Sequence, residues 1–300
     1  MNMVDRINTL RREKNAVILA HYYQPVPVQQ IADFTGDSLQ LSVQAQQSDA
    51  SIIVFCGVRF MAETAAILNP NAKVLLPAAD AGCPMADMIS VEQLRKFKAQ
   101  HPGAVVVCYV NSSVAVKAES DICCTSSNAV RVIQSLPQEQ TILFVPDQHL
   151  GNWAAQQSGR NVIVWEGFCP VHHWGFTSRQ LKQLRAKHPG YKLLAHPECD
   201  EDIIDEADLV MSTSGMMDYA AKYDNLIIAT DAAFTDNLKH LYPDKHLVPL
   251  NSQARCKNMR KTTMQHVLDA LELEQHNITV EPQIAAKALK ALQRMLEASH

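Results

Sequence analysis

The segment VVVCYVN (residues 105–111) decides the fold, because the chain carries it in three versions. The other two are VILAHYY (residues 17–23) and KLLAHPE (residues 192–198), and the versions begin 88 and 87 residues apart. Each is a short apolar run that ends in polar residues, which is typical of a buried parallel strand. A fixed period of this length predicts three copies of a small domain, since solenoid units are shorter.

Two more landmarks recur at the same period. An aspartate and apolar residues run into a hydroxyl cluster in DFTGDS, DICCTS and DLVMST, so three hydroxyl residues are equivalent: Ser38, Ser126 and Thr213. Each copy then ends in a cysteine: Cys83, Cys169 and Cys256. We therefore predict a first copy, a second copy and a third copy at residues 1–86, 87–172 and 173–257. Residues 258–300 are predicted to form helices that pack back on the copies.

Within one copy, apolar residues alternate between helical spacing and short β-branched runs. This alternation predicts an α/β fold of three α/β/α units with parallel sheets, arranged about a pseudo-threefold axis. Three strands are predicted in each copy, and only a short helix between the first strand and the hydroxyl cluster. Longer helices are predicted to begin at the hydroxyl clusters, at residues 38–47, 126–135 and 214–221.

Composition excludes several classes of function. The net charge is −4 with no basic run, so nothing favours nucleic-acid binding. No apolar run approaches the ~20 residues that span a bilayer, and no signal peptide is apparent, so we expect a cytoplasmic protein. Eight cysteines in a reducing compartment then indicate metal binding or catalysis before disulfides. Neither a dinucleotide-binding GxGxxG nor a P-loop occurs.

The polar ends of the predicted strands indicate a single active site. Ligands of parallel α/β sheets gather at the carboxyl ends of the strands, and three copies around an axis would bring those ends to one central cavity. The residues brought together are His21, Tyr23, Tyr109, Asn111, His196 and Glu198. The hydroxyl clusters at helix N-termini are suited to anions, which fits substrates that carry carboxylates and a phosphate.

The three repeated cysteines predict an iron–sulfur cluster. Three thiolates on separate loops do not suit a structural zinc site, which takes four ligands and commonly uses closely spaced pairs. They would instead hold three corners of one [4Fe–4S] cluster and leave the fourth iron open as a Lewis acid for dehydration. The other cysteines are interpreted as packing residues: Cys56, Cys108, Cys123, Cys124 and Cys199.

Eight motifs together closely resemble the quinolinate synthase family over essentially the whole chain: AHYYQ, GDSL, YVNSS, CTSSNA, PDQHLG, GFCPVH, HPEC and STSGM. The resemblance implies a triangular three-domain α/β fold and a [4Fe–4S] enzyme of de novo NAD biosynthesis. It further implies that iminoaspartate condenses with dihydroxyacetone phosphate, with loss of phosphate and two waters, to give quinolinate. An aspartate-oxidising enzyme is then the expected supplier of the unstable imine.

The resemblance also guides the roles that we assign. Glu198 is expected to be the general base or acid, with a pKa moved toward neutrality by the closed cavity. Tyr23 and Tyr109 are expected to move protons or hold an enediolate, while His21 and His196 bind a carbonyl oxygen or a carboxylate. The remaining polar residues are expected to hold the carboxylates and the phosphate: Ser38, Asn111, Ser126 and Thr213.

Some alternatives stay open at this stage. A hydro-lyase acting on another small hydroxy acid would use the same open iron, and a non-catalytic iron–sulfur sensor would use the same cysteines. The sensor gives no reason for the threefold polar set. His172 is interpreted equally well as a group that supports the site and as a loop residue. One segment departs from the CxxCxxC pattern of some family members, since Cys256 is followed by Lys-Asn-Met. Redox regulation would therefore need other cysteines, such as Cys123, Cys124 or Cys199.

Overall fold

Three separate parallel sheets of four strands form the framework of the computed structural model, which describes residues 2–299. The strands are β1 (Ala16–His21), β2 (Phe34–Gly36), β3 (Ile52–Cys56), β4 (Lys73–Leu75), β5 (Val105–Tyr109), β6 (Ile122–Cys124), β7 (Ile142–Val145), β8 (Val162–Val164), β9 (Lys192–Ala195), β10 (Leu209–Val210), β11 (Leu226–Ala229) and β12 (Leu247–Pro249). The sheet orders are the same in all three: β2-β1-β3-β4, β6-β5-β7-β8 and β10-β9-β11-β12. The predicted α/β fold with three repeated parallel units is confirmed.

Helices cover and connect these sheets. They are α1 (Met3–Glu13), α2 (Val26–Gln30), α3 (Ser38–Gln47), α4 (Arg59–Leu68), α5 (Val91–Gln100), α6 (Val114–Ala118), α7 (Ala129–Gln134), α8 (Gln148–Ser158), α9 (Pro170–Gly175), α10 (Ser178–Lys187), α11 (Glu201–Asp205), α12 (Thr213–Lys222), α13 (Ala232–Leu241), α14 (Met264–Leu273) and α15 (Pro282–Glu297). Within residues 2–299, no helix combines the length and the apolar character needed to cross a membrane.

A repeated aspartate holds the first two strands of each sheet together. Its carboxylate accepts a hydrogen bond of 2.8 Å from a backbone N–H of the first strand in all three copies: Asp33 from Ile18, Asp121 from Val106 and Asp208 from Leu193. Because the aspartate immediately precedes the second strand, this bond sets where that strand lies. The recurrence of the aspartate in the sequence is thus explained by sheet geometry.

The second strand of each sheet was missed by the sequence analysis. β2, β6 and β10 contain only two or three residues, which is too short to show a period of two. The predicted helix at residues 126–135 is also wrong at its start, since α7 begins at Ala129. There Asn128 Oδ1 accepts the backbone N–H of Thr125 at 2.6 Å and closes a turn, so the second hydroxyl cluster lies in that turn.

The last helix of the chain packs against the second sheet. α15 contacts α4, α6 and β6, and it buries five residues there: Ala288, Ala291, Leu292, Met295 and Leu296. α14 packs against α1 and β3 of the first sheet. Each of the three sheets lies within one predicted copy. The exact division at residues 86, 172 and 257 stays a prediction.

Candidate active site

One buried cavity lies where the carboxyl ends of the three central strands meet. It is lined by all twelve of the residues that the sequence analysis selected: His21, Tyr23, Ser38, Cys83, Tyr109, Asn111, Ser126, Cys169, His196, Glu198, Thr213 and Cys256. They come from all three copies, and some of them are more than 200 residues apart. The structure therefore brings the whole predicted set to one place, and their chemical roles must be argued from the local contacts.

Two histidines in equivalent positions have the same local geometry. The backbone N–H of Tyr23 donates to His21 Nδ1 at 3.1 Å, and the backbone N–H of Glu198 donates to His196 Nδ1 at 3.3 Å. With Nδ1 accepting, the proton of each neutral imidazole lies on Nε2. Burial lowers the pKa of His21 to about 4 and that of His196 to about 3. Both imidazoles are thus neutral Nε2–H donors on the cavity wall, and that of His196 donates to Ser126 Oγ at 3.2 Å.

Glu198 is held by two hydrogen-bond donors. Tyr109 donates its hydroxyl proton to Oε1 at 2.6 Å, and His172 Nδ1 lies 2.7 Å from Oε2. Burial alone would raise the pKa of Glu198, but the charge and hydrogen bond of His172 and the hydrogen bond from Tyr109 outweigh it and lower that pKa below its usual range. The expectation of a pKa near neutrality is therefore wrong, because both carboxylate oxygens are paired.

These contacts form one continuous chain of hydrogen bonds across the cavity. Tyr23 bonds to Thr230 Oγ1 at 2.5 Å, Thr230 Oγ1 bonds to His172 Nε2 at 2.9 Å, and His172 continues to Glu198 and Tyr109. Burial, reinforced by the charge of Glu198, raises the pKa of both tyrosines well above the usual value. Both phenols are therefore protonated donors in the resting site. His172, which the sequence left open, lies at the centre of this chain.

The hydroxyl clusters meet around an aspartate that sequence analysis missed. Asp37 Oδ2 accepts hydrogen bonds from Ser127 Oγ at 2.5 Å and from Ser214 Oγ at 2.6 Å. Its other oxygen caps α3 through the backbone N–H groups of Leu39 and Gln40. One side chain therefore connects the hydroxyl clusters of all three copies.

Neutral groups supply the donors of the cavity. Among the described residues that line it, none is lysine or arginine. Ser38 and Thr213 are the first residues of α3 and α12, whose free N–H groups favour anions. Asn111 Oδ1 is buried and has no hydrogen-bond partner within residues 2–299. An amide without a protein partner at the cavity wall is free to bind a ligand.

The three repeated cysteines form one wall of the cavity. All three are partly exposed, and they also line a second depression on their outer side, together with Trp174, Asn251 and other residues. Each precedes a helical turn whose backbone N–H groups face its sulfur: Met85–Asp87, Pro170–Gly175 and Met259–Lys261. The other five cysteines are buried and do not line the cavity. The three thiols thus lie between the cavity and the solvent, in a position to bind a metal.

The third copy also supplies an aspartate that supports the cysteine wall. Asp231 caps α13 through the N–H of Ala233, and its Oδ2 accepts the backbone N–H of Cys256 at 2.6 Å. Asp147 occupies the equivalent N-cap position of α8, and Val58 that of α4. Extending the repeat alignment to the residue before each of these helices would have found both aspartates.

Comparisons with known proteins identify the family of this chain. A family model described as "Quinolinate synthetase A protein" matches residues 5–297. The quinolinate synthase of Alkaliphilus metalliredigens is 50% identical over 299 residues, which is 99% of this chain and 98% of the relative. That of Methanoregula boonei is 50% identical over 294 residues, 97% of each chain. Quinolinate synthase 2 of Methanosarcina acetivorans is 46% identical over 99% of this chain and 96% of its own length.

Proposed function

This chain belongs to the quinolinate synthetase A family, and we propose that it condenses iminoaspartate with dihydroxyacetone phosphate to form quinolinate for NAD biosynthesis. One phosphate and two waters leave, which balances all atoms of the two substrates and the product. The observation that carries the proposal is the chain of hydrogen bonds from Tyr23 to Tyr109, which passes through Glu198 on a cavity walled by three thiols.

Neutral donors hold the charged substrates in this proposal. The two carboxylates and the phosphate bind to the hydroxyls of Ser38, Ser126 and Thr213, to the N–H groups that begin α3 and α12, and to Asn111. In this assignment the NH₂ group of Asn111 donates to a substrate anion, while its unpaired Oδ1 accepts a hydrogen bond from a hydroxyl or N–H of the substrate.

Proton transfer is assigned to the buried polar chain. Glu198 is ionised in the resting site, so it acts first as the base that removes a carbon-bound or hydroxyl proton. His172, Thr230 and Tyr23 connect it to the far side of the cavity. His21 and His196 are neutral, and their Nε2–H groups polarise a carbonyl oxygen or hold a carboxylate.

The donor set of the cysteine wall fits a [4Fe–4S] cluster held by Cys83, Cys169 and Cys256. Burial raises the pKa of all three thiols, that of Cys83 to about 12, and no lysine or arginine among the described lining residues offsets their charge. Thiolates in this wall therefore need a cation, which iron supplies. When bound, such a cluster provides an open iron that acts as a Lewis acid for the loss of water.

The cellular setting follows from the same chemistry. Iminoaspartate is an imine that hydrolyses in water, so we assign its supply to an aspartate-oxidising enzyme acting nearby. Free thiols are retained in reducing compartments, which supports action in the cytoplasm.

An anaerobic assay tests the proposal. Purified protein is analysed for iron and acid-labile sulfide, and then incubated with dihydroxyacetone phosphate and iminoaspartate generated in the reaction from aspartate. We expect about four irons and four sulfides per chain and quinolinate identified by chromatography and mass. A folded protein that takes up the cluster and makes no quinolinate would contradict the substrate assignment. One that takes up no iron would contradict the cofactor.

A further inference from the structure

A second group of metal-binding side chains lies outside the active-site cavity. His149 on the first turn of α8, His173 on α9 and Asp200 just before α11 converge at one point. His149 Nε2 is 2.9 Å from His173 Nδ1 and 3.1 Å from Asp200 Oδ1, and His173 Nδ1 is 2.7 Å from the same oxygen. Three segments that are distant in sequence thus bring three donor atoms into mutual contact.

Hydrogen bonds alone do not satisfy this triangle. If only one of the two imidazole nitrogens carries a proton, it can donate that proton to one or both of the other two atoms. Those other two atoms then face each other with lone pairs and no proton between them. If both nitrogens carry protons, both donate to Asp200, and two N–H groups then face each other across 2.9 Å. A cation between the three atoms accepts a lone pair from each of them and removes the conflict.

The distances match metal coordination. A point about 1.2 Å out of the plane of the three atoms is about 2.1 Å from each of them, which is the length of zinc bonds to imidazole nitrogen and carboxylate oxygen. The separations of 2.7–3.1 Å are those of neighbouring corners on one face of an octahedron with such bonds. Two histidines and one carboxylate on one face are a known ligand set for divalent first-row metals.

Neighbouring side chains and the start of α11 constrain the positions of the three candidate ligands. The His149 and His173 rings stack with centroids 5.0 Å apart, and the Phe168 ring lies 4.3 Å from that of His173. Asp200 occupies the N-cap position of α11, yet its side chain caps no backbone N–H. The side chains of His149, His173 and Asp200 are 12%, 26% and 35% exposed, so an ion from solvent can reach them.

We infer that His149, His173 and Asp200 bind one divalent first-row transition-metal ion, of the Zn²⁺ or Fe²⁺ class, with three remaining positions taken by water. The site is separate from the cysteine wall but joined to it through the backbone. His173 lies four residues after Cys169, and Asp200 lies two residues after Glu198. An ion bound here would connect α8 and α9 to the segment that carries Glu198.

Zinc alone is the probe that tests this inference. Protein carrying its iron–sulfur cluster is dialysed anaerobically against Zn²⁺, and zinc and iron per chain are measured for the wild type and for His149→Gln, His173→Gln and Asp200→Asn. We expect one zinc per wild-type chain, and zinc affinity lowered roughly 100-fold or more in each variant, with iron unchanged. The matched controls are His246→Gln and Asp202→Asn, both exposed, which should bind zinc as the wild type does.

X-ray absorption at the zinc edge separates this site from the cysteines. Nitrogen and oxygen ligands at about 2.0–2.1 Å support the inference, whereas sulfur at about 2.3 Å would mean that zinc had entered the cysteine wall and would overturn it. Equal zinc binding by the three variants and the wild type would also overturn it, as would a wild type that binds no zinc. The measurement does not depend on quinolinate formation, so its failure leaves the proposed activity untouched.

Discussion

Replacing Glu198 by glutamine is the sharpest test of the proposed proton transfers. The substitution keeps the size of the side chain but removes the negative charge that accepts bonds from Tyr109 at 2.6 Å and from His172 at 2.7 Å. The glutamine oxygen can satisfy one of these donors, while its NH₂ group faces the other. We therefore expect a folded protein that lacks its base.

The expected size of the effect follows from the role of the carboxylate. Loss of a positioned general base lowers kcat by about 10²–10⁴-fold, which corresponds to about 3–5 kcal/mol in the activation free energy. The donor left facing the NH₂ group costs about 1–3 kcal/mol of stability. KM should change much less than kcat, because the groups proposed to hold the substrate anions are unaltered.

The assay measures quinolinate formation together with iron per chain. Glu139→Gln is the matched control, since Glu139 is exposed and does not line the cavity, and it should retain full activity. A Glu198→Gln variant that holds its iron and keeps kcat within about threefold of the wild type would refute the assignment of Glu198 as the base.

Three further predictions concern the cysteine wall, the hydrogen-bond chain and the core. Alanine in place of Cys83, Cys169 or Cys256 should abolish iron retention. The control variant Cys56→Ala should keep the full iron content on anaerobic reconstitution. Thr230→Val should lower kcat roughly tenfold, since it leaves the buried Tyr23 hydroxyl without a partner. Thr230→Ser keeps the hydroxyl and should have wild-type activity. A Thr230→Val variant with unchanged kcat would show that the hydrogen-bond chain does not act through Thr230. Leu292→Ala should lower the free energy of unfolding in urea by about 3 kcal/mol, while Leu273→Ala, 68% exposed, should change it by less than about 0.5 kcal/mol.

Repeat equivalence explains why the members of the site could be predicted from sequence. A strand end placed at the cavity in one copy implies the same for its two equivalents, so His21, Tyr109 and His196 were found together. The partners of these residues could not be found in that way. Tyr109 pairs with Glu198 and Tyr23 with Thr230, and both contacts cross between copies. Such pairs depend on how the copies dock, which a period within the chain does not encode.

Asp37 was missed for a related reason. In the sequence it is an ordinary helix cap, and the structure confirms that capping role through Leu39 and Gln40. Its second oxygen binds Ser127 and Ser214, which come from the other two copies. Nothing local distinguishes a cap with a free oxygen facing solvent from one that joins three domains.

The three copies carry different residues at equivalent positions, and these differences set the protonation states within the site. Three identical strand ends around an axis would present three like groups with equal pKa values, and no group would differ enough to give or take a proton. Here the third copy supplies the ionised Glu198, and the second supplies the protonated Tyr109. The first copy supplies Tyr23, which lies at the other end of the chain of hydrogen bonds from Tyr109. Because the environments push these pKa values apart, the resting protonation states are defined: the two phenols hold their protons and the Glu198 carboxylate does not. The repeated fold supplies the positions, and the differences between its copies supply the chemistry.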